Sequence, residues 1–240
     1  MPLVVGLTGS IAAGKSTIAQ TLVSLGAIHA DADKLVHRLY DPGTPGFDRV
    51  VKEFGEDVIG EDGFVDRKVL GSKVFGKPKE MAKLTGAMGS IKDAIEGEIL
   101  KWRDELGEGN VAVMEAVNLM EPGYARLCDV VWLVGIDDER AKTRIMASRG
   151  LTADEADQRL RSQRPIEKRS GGCDWVYVND KSMEELEQAV AAELKRVADL
   201  HGKGELHDSK FGPWWEEWKV QAEKEAKAAG IKTENYRGVS

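Results

Sequence analysis

The 240-residue sequence is poor in cysteine and histidine, with two and four respectively, and its longest apolar stretches are only of strand length. Each scarcity excludes a class of protein. Cys128 and Cys173 form neither a C-x-x-C pair nor a closely spaced framework, so no zinc knuckle and no disulfide scaffold is expected. They read as two reduced thiols in a cytoplasmic protein. No apolar run approaches the ~18–20 residues that cross a bilayer. The short run at residues 3–7 has no basic residue before it, the first being Lys15, which reads against a secretory leader. Basic residues are also in deficit, 34 against 41 acidic ones, for a net charge of −7. Broad binding to nucleic acid or to an anionic membrane is not expected of that balance. An anionic substrate must be held by locally placed cations and backbone N–H groups.

What is present is a folded chain of ordinary composition, 42% hydrophobic and 31% charged, long enough for a large α/β domain. Apolar runs at residues 3–8, 27–30, 110–117, 129–136 and 175–178 predict strands. A helix is predicted over 14–25, with Ile18, Ala19, Leu22 and Leu25 on its apolar face. Strand, helix and strand, each strand feeding a polar turn, is the βαβ pattern of a doubly wound parallel sheet. Further helices are expected over 33–40, 47–54, 67–75, 90–106, 138–149, 152–164 and 182–200, the last two opened by the capping boxes Thr152-x-x-Glu155 and Ser182-x-x-Glu185. The expected organisation is one domain over 1–201, with a helical insert at about 47–107 and a lid at about 139–169. Residues 202–240 form a tail with three of the six tryptophans, Trp214, Trp215 and Trp218. Large aromatics are seldom left exposed, so the tail is read as a helix docked on the domain, with a contact surface for a second subunit or a partner as the competing expectation.

Gly9-Ser10-Ile11-Ala12-Ala13-Gly14-Lys15-Ser16 fits G-x-x-x-x-G-K-[ST] at every fixed position, between a predicted strand and a predicted helix. Glycines let the backbone curl until successive N–H groups point at phosphate oxygens, beside the positive end of the helix dipole. Gly9, Ala12, Ala13, Gly14, Lys15, Ser16 and Thr17 are therefore candidate nucleotide-binding residues. Lys15 is placed to reach the β- and γ-phosphates of ATP, and the Ser16 hydroxyl to ligate Mg²⁺. The expected fold is thus α/β of the P-loop NTPase type. Asp31-Ala32-Asp33 follows the second strand at the sheet edge where such folds bind ligands, so either carboxylate is a candidate base or a helix cap. Glu115 ends the third strand and is a candidate Mg²⁺ ligand or ion-pair partner. Residues 139–169 carry nine cations against five acids, a local excess that suits a lid over phosphates, with Arg144 and Arg149 ahead of the Gly150 turn.

These elements together resemble the dephospho-coenzyme A kinases. The resemblance rests on the phosphate loop, on Asp31-Ala32-Asp33 with His37, and on Asp41-Pro42-Gly43-Thr44-Pro45-Gly46. It extends to Asp62-Gly63-Phe64-Val65-Asp66-Arg67 and to the lid-like stretch 144–163 followed by Asn179, covering about residues 3–200. It implies ATP-dependent phosphorylation of the ribose 3′-hydroxyl of dephospho-coenzyme A. Asp33 would be the catalytic base, Arg144 a lid arginine on the phosphates, and Asn179 a neighbour of the adenine pocket. Thr8, Asp31 and His37 would lie on the acceptor side. Two segments differ from the family pattern: Met88-Gly89-Ser90-Ile91 replaces a His-Pro pair, and Glu115-Ala116-Val117-Asn118-Leu119-Met120-Glu121 replaces Asp-x-Pro-Leu-Leu-Phe-Glu. A kinase for a nucleoside monophosphate or another small alcohol is the competing expectation, and a nucleotide-binding switch module a third.

Overall fold

A computed structural model describes residues 1–228 apart from Gly76 and 162–164; the side chains of Asp33, Val36, His37, Pro78 and Arg149 are also outside the description. All seven residues of β1 (Leu3–Gly9) are buried, as a strand covered on both faces requires. It lies at the centre of a five-stranded sheet in the order β2-β3-β1-β4-β5, formed with β2 (Ile28–Asp31), β3 (Val111–Glu115), β4 (Val130–Gly135) and β5 (Trp175–Val178). β1 runs parallel to β3 and β4, with Leu7 opposite both Glu115 and Trp132, and β4 runs parallel to β5. Leu3, Val5 and Leu7 share one face of β1. They pack with Ile18, Ala19 and Leu22 of α1 (Lys15–Ser24) and with Leu186, Val190, Leu194 and Val197 of α10 (Met183–Gly202). On the other face Gly6 is flush with its cover: a Cβ there would lie 2.8 Å from Leu119 Cδ2 and 2.9 Å from Cys128 Sγ. Burial pushes the thiols of Cys128 and Cys173 up to about 12, so both stay protonated and inert near neutral pH.

The structure departs from the sequence expectations at several boundaries. Leu25 is 49% exposed, because α1 ends before it and Gly26, at φ +96°, turns the chain away. β3 stops at Glu115 instead of continuing to Val117. Ala116 N–H still donates to Leu7 O, but Val117 O accepts from the Thr8 hydroxyl and from Arg169, leaving the ladder. The stretch expected to form a lid consists of α7 (Asp138–Arg149), α8 (Ala153–Arg161) and a short α9 (Glu167–Ser170) that the pattern does not suggest. The end of the expected helix over 152–164 falls outside the described residues.

The chain divides into one unit made of Met1–Ala30 and Ile99–Ser240 and a second made of Asp31–Glu98. The second unit contains α2 (Ala32–Arg38), α3 (Pro45–Phe54), α4 (Arg67–Val74) and α5 (Pro78–Met88), and α6 (Ile91–Glu105) begins in it. Its core is Tyr40, Val50, Phe54, Val58, Val65, Leu70, Val74, Leu84 and Ala87. The Asp-Gly-x-x-Asp-Arg motif builds this unit directly. Asp62 Oδ1 accepts from Phe64 N–H in a turn held by Gly63 at φ +80°, and Asp66 caps α4 through Lys68 and Val69 N–H. Gly46 is obligatory for space, since a Cβ would lie 1.9 Å from Leu39 O.

The tail forms α11 (Phe211–Ala228), which starts three residues earlier than the tryptophan cluster and belongs to the sheet-containing unit. Phe211, Trp218, Ala222 and Ala226 are buried.

Candidate active site

The loop between β1 and α1 has the backbone its residue types permit. Gly9 sits at φ +156°, where a Cβ would lie 2.2 Å from Val134 O, and Gly14 at φ +96° opens α1 in the left-handed region. Between them Ala12 holds φ +61°, the one non-glycine with positive φ among the described residues. That conformation costs an alanine about 1–2 kcal/mol and persists here because the loop is tied on both sides. Ser10 N–H donates to Val134 O, Arg144 Nη1 donates to Ala12 O at 3.2 Å, and Asn179 Nδ2 donates to Ala13 O at 2.8 Å. A curled backbone with its amides turned inward at a helix N-terminus is an anion cradle.

Lys15 is buried, and its Nζ donates to Gly9 O at 3.0 Å and Ser10 O at 2.9 Å, so the ammonium rests over the loop. Ser16, next in the first turn of α1, is exposed, and Thr17 N–H closes the turn on Gly14 O. Asn179 follows β5, is itself buried, and is tied to the sheet through its N–H to Gly135 O. A Cβ on Gly14 would lie 2.6 Å from Asn179 Nδ2, so the two residues are matched in shape. Beside the loop lies a cleft of about 680 Å³, lined by Ser10, Asp137, Lys142, Asp157, Arg161 and Ile166 among others. There Lys142 Nζ meets Asp157 Oδ2 at 2.7 Å, joining α7 to α8, and the Asp157 carboxylate holds the ammonium above its ordinary pKa.

Thr8, the last residue of β1 before Gly9, is fully buried. Its hydroxyl donates to Val117 O at 2.9 Å and accepts from Arg169 Nη2 at 2.7 Å. Arg169 also donates to Val117 O at 3.0 Å, and its Nε lies 3.1 Å from Glu121 Oε1. Glu115 Oε2 is 3.0 Å from His29 Nε2. By sequence Arg169 is one of nine cations in 139–169, and nothing there marks His29 or Glu121. No local signal could have done so, because Arg169 and Thr8 are 161 residues apart.

The structure thus gathers Thr8, the 9–17 loop, Arg144 and Asn179 around one turn, with Glu115 on the neighbouring strand. Asp31, Asp33 and His37 belong to the second unit. Asp31 ends β2 and lies 3.8 Å from Lys34 Nζ, while Asp33 and His37 are in α2 with side chains outside the described set. Arg149 ends α7, its side chain likewise outside the description.

A strand, phosphate loop and helix at the centre of a 2-3-1-4-5 sheet, with a lysine over the loop and an arginine reaching it from another helix, define a P-loop kinase fold. Comparison with known proteins is more specific. The family model for dephospho-CoA kinase matches residues 3–185. A dephospho-CoA kinase of Symbiobacterium thermophilum is 38% identical over 83% of this chain and 83% of its own length, and one of Geobacter sulfurreducens is 38% identical over 78% and 94%. Among solved structures, the dephospho-CoA kinase from Campylobacter jejuni superposes with a TM-score of 0.58 at 26% identity, covering 80% of this chain and 96% of that one. The chain belongs to the dephospho-CoA kinase family, ATP-dependent kinases of coenzyme A biosynthesis. Among the described residues no helix is long and apolar enough to cross a membrane.

Proposed function

We propose that this chain transfers the γ-phosphoryl group of ATP to the ribose 3′-hydroxyl of dephospho-CoA. The observation that carries the reading is the fully formed phosphate loop, with Lys15 over it, in a chain that matches the family model along residues 3–185. Loop amides and the first turn of α1 take up the phosphate oxygens. Lys15 Nζ exchanges the carbonyls of Gly9 and Ser10 for the β- and γ-phosphates, where its charge offsets the negative charge growing on the bridging oxygen. Arg144 and Arg149 add guanidinium groups from the lid, and Asn179 bounds the adenine side. Asp31 and His37 serve the acceptor side; Thr8, expected with them, is fully buried with its hydroxyl taken up by Val117 O and Arg169 Nη2, so it anchors the end of β1 instead of touching the acceptor. We take Asp33, the second aspartate of the Asp-Ala-Asp motif, as the base. The 3′-oxygen forms its bond to the γ-phosphorus as the bond to the bridging oxygen breaks, the hydroxyl proton passes to the Asp33 carboxylate, and ADP leaves.

Mg²⁺ bound with ATP supplies charge neutralisation across the phosphates. The exposed Ser16 hydroxyl and the Glu115 carboxylate, one oxygen of which meets His29, are hard donors that fit it. Two protein oxygens suit an ion that completes its shell with phosphate and water. Two buried, protonated thiols suit a reducing compartment, and we place the protein in the cytoplasm. We read residues 205–228 as docked on their own chain, with self-association through them as the alternative that particle mass decides; the rest of the expected tail, 229–240, lies outside the described residues.

The test supplies ATP, Mg²⁺ and dephospho-CoA and looks for the 3′-phosphorylated product by mass. Its formation with stoichiometric ADP is the expected result. No product, alongside efficient phosphorylation of a nucleoside monophosphate or another alcohol, would overturn the acceptor.

A further inference from the structure

Two consecutive tryptophans of α11 hold the two backbone segments that carry the Arg169–Glu121 pair. Trp214 Nε1 donates to Lys168 O at 3.2 Å, and Trp215 Nε1 donates to Glu121 O at 3.4 Å. Each indole sits against a glycine that leaves it no spare room. A Cβ on Gly172 would lie 2.6 Å from Trp214 Cγ and Cδ2, and one on Gly123 would lie 2.4 Å from Trp215 Cζ2. Behind them Phe211 packs on both rings, Trp218 stacks on Trp214 at 5.8 Å, and Lys219 Nζ lies 4.1 Å over the Trp215 ring. The entry to α11 is fastened separately. The Asp174 carboxylate accepts from Ser209 Oγ, Lys210 N–H and Val131 N–H, tying the tail to the start of β4.

The pair so held bears on the phosphate loop. Arg169 is buried and donates to the Thr8 hydroxyl and to Val117 O, so it joins the last residue of β1 before Gly9 to the segment after β3. The family model ends at residue 185, which leaves α11 outside the matched region. We propose that α11 is a positioning element for phosphoryl transfer, its Trp214–Trp215 pair fixing the Arg169–Glu121 clasp that orients the end of β1. The proposal rests on the kinase reading above. The tryptophans act through the clasp and touch no substrate in this scheme.

The test uses the full chain with Trp214→Phe/Trp215→Phe, which keeps aromatic packing and removes both indole donors. Wild-type turnover of dephospho-CoA is measured first; its absence would overturn the kinase reading. The tail's coupling would still be read from amide hydrogen exchange over 117–123 and 165–172. The expected result is faster exchange in those two segments and a kcat about 3- to 10-fold lower, the size of an indirect coupling, with the KM for ATP within about twofold. In a Glu121→Gln background the same double substitution should add little further loss in kcat, whereas losses in melting temperature should still accumulate. Unchanged exchange in both segments, or a kcat loss that multiplies fully with that of Glu121→Gln, would overturn the proposal.

Discussion

Replacing Arg169 by methionine tests the clasp at its most exposed energetic point. Arg169 is 4% exposed, and removal of its guanidinium leaves the Glu121 carboxylate, with 14% side-chain exposure, facing an apolar group. Thr8 keeps its bond to Val117 O, so neither of those oxygens is orphaned and the cost falls on Glu121. Breaking a buried pair from one side costs about 3–5 kcal/mol. The lower half of that range applies here. The 3.1 Å contact between Nε and Oε1 is an ion pair outside hydrogen-bond geometry, and among the described residues neither Arg169 Nε nor Glu121 Oε2 has a hydrogen-bond partner. At ~2–4 °C per kcal/mol for a chain of this size, Arg169→Met should lower Tm by about 6–16 °C. Arg169→Met/Glu121→Leu removes the stranded charge and should recover most of that loss, since apolar replacement of a whole buried pair is often neutral or better. Thermal unfolding followed by circular dichroism on the single and double variants measures both. A loss under about 1 kcal/mol for Arg169→Met, or a double variant no better than the single, would refute the reasoning.

Lys15→Ala should lower kcat about 10²-fold or more with Tm little changed, if its charge acts on the phosphates as proposed; near-wild-type turnover would remove the loop from the mechanism. Asp33→Asn should cut kcat far more than it weakens ATP binding, whereas Asp31→Asn does less; equal activity of the two variants would reverse or cancel the assignment. Gly14→Ala is expected to weaken ATP binding at least tenfold by titration calorimetry, since its Cβ would fall 2.6 Å from Asn179 Nδ2 at a φ of +96° that alanine resists. Unchanged affinity would show that the Gly14–Asn179 fit is not needed. Truncation after Gly204 should lower Tm and raise dye binding, because it uncovers the apolar surface around Gly123 and Gly172, with particle mass per chain otherwise unchanged in sedimentation. A fall from dimer to monomer would show that the tail joins copies instead.

The parts of this protein legible in its sequence are those whose physics is local. Buried parallel strands announce themselves as apolar runs, and the phosphate loop is written within eight residues, Gly9–Ser16, because curling a backbone around phosphate needs glycines at fixed spacing. The capping boxes at Thr152 and Ser182 form as read, with Glu155 N–H reaching Thr152 Oγ1 at 3.4 Å and Glu185 N–H reaching Ser182 Oγ at 3.2 Å. The pattern does not announce α5, although Pro78 opens it and Gly89 follows it, because among its described side chains only Leu84 and Ala87 are buried and its apolar stripe is thin. The clasp was illegible for a different reason. An arginine in a basic segment looks like every other cation of that segment until the fold brings Thr8 and Glu121 against it, and nothing in its neighbours' identity records that meeting. The tail shows the same division. Three tryptophans in a short stretch announce a surface to be covered, but the surface itself is two glycines, Gly123 and Gly172, whose meaning appears only when the indoles lie on them. Glycine is the residue type that sequence reasoning assigns most readily to a turn, and at Gly172 the need for it is space.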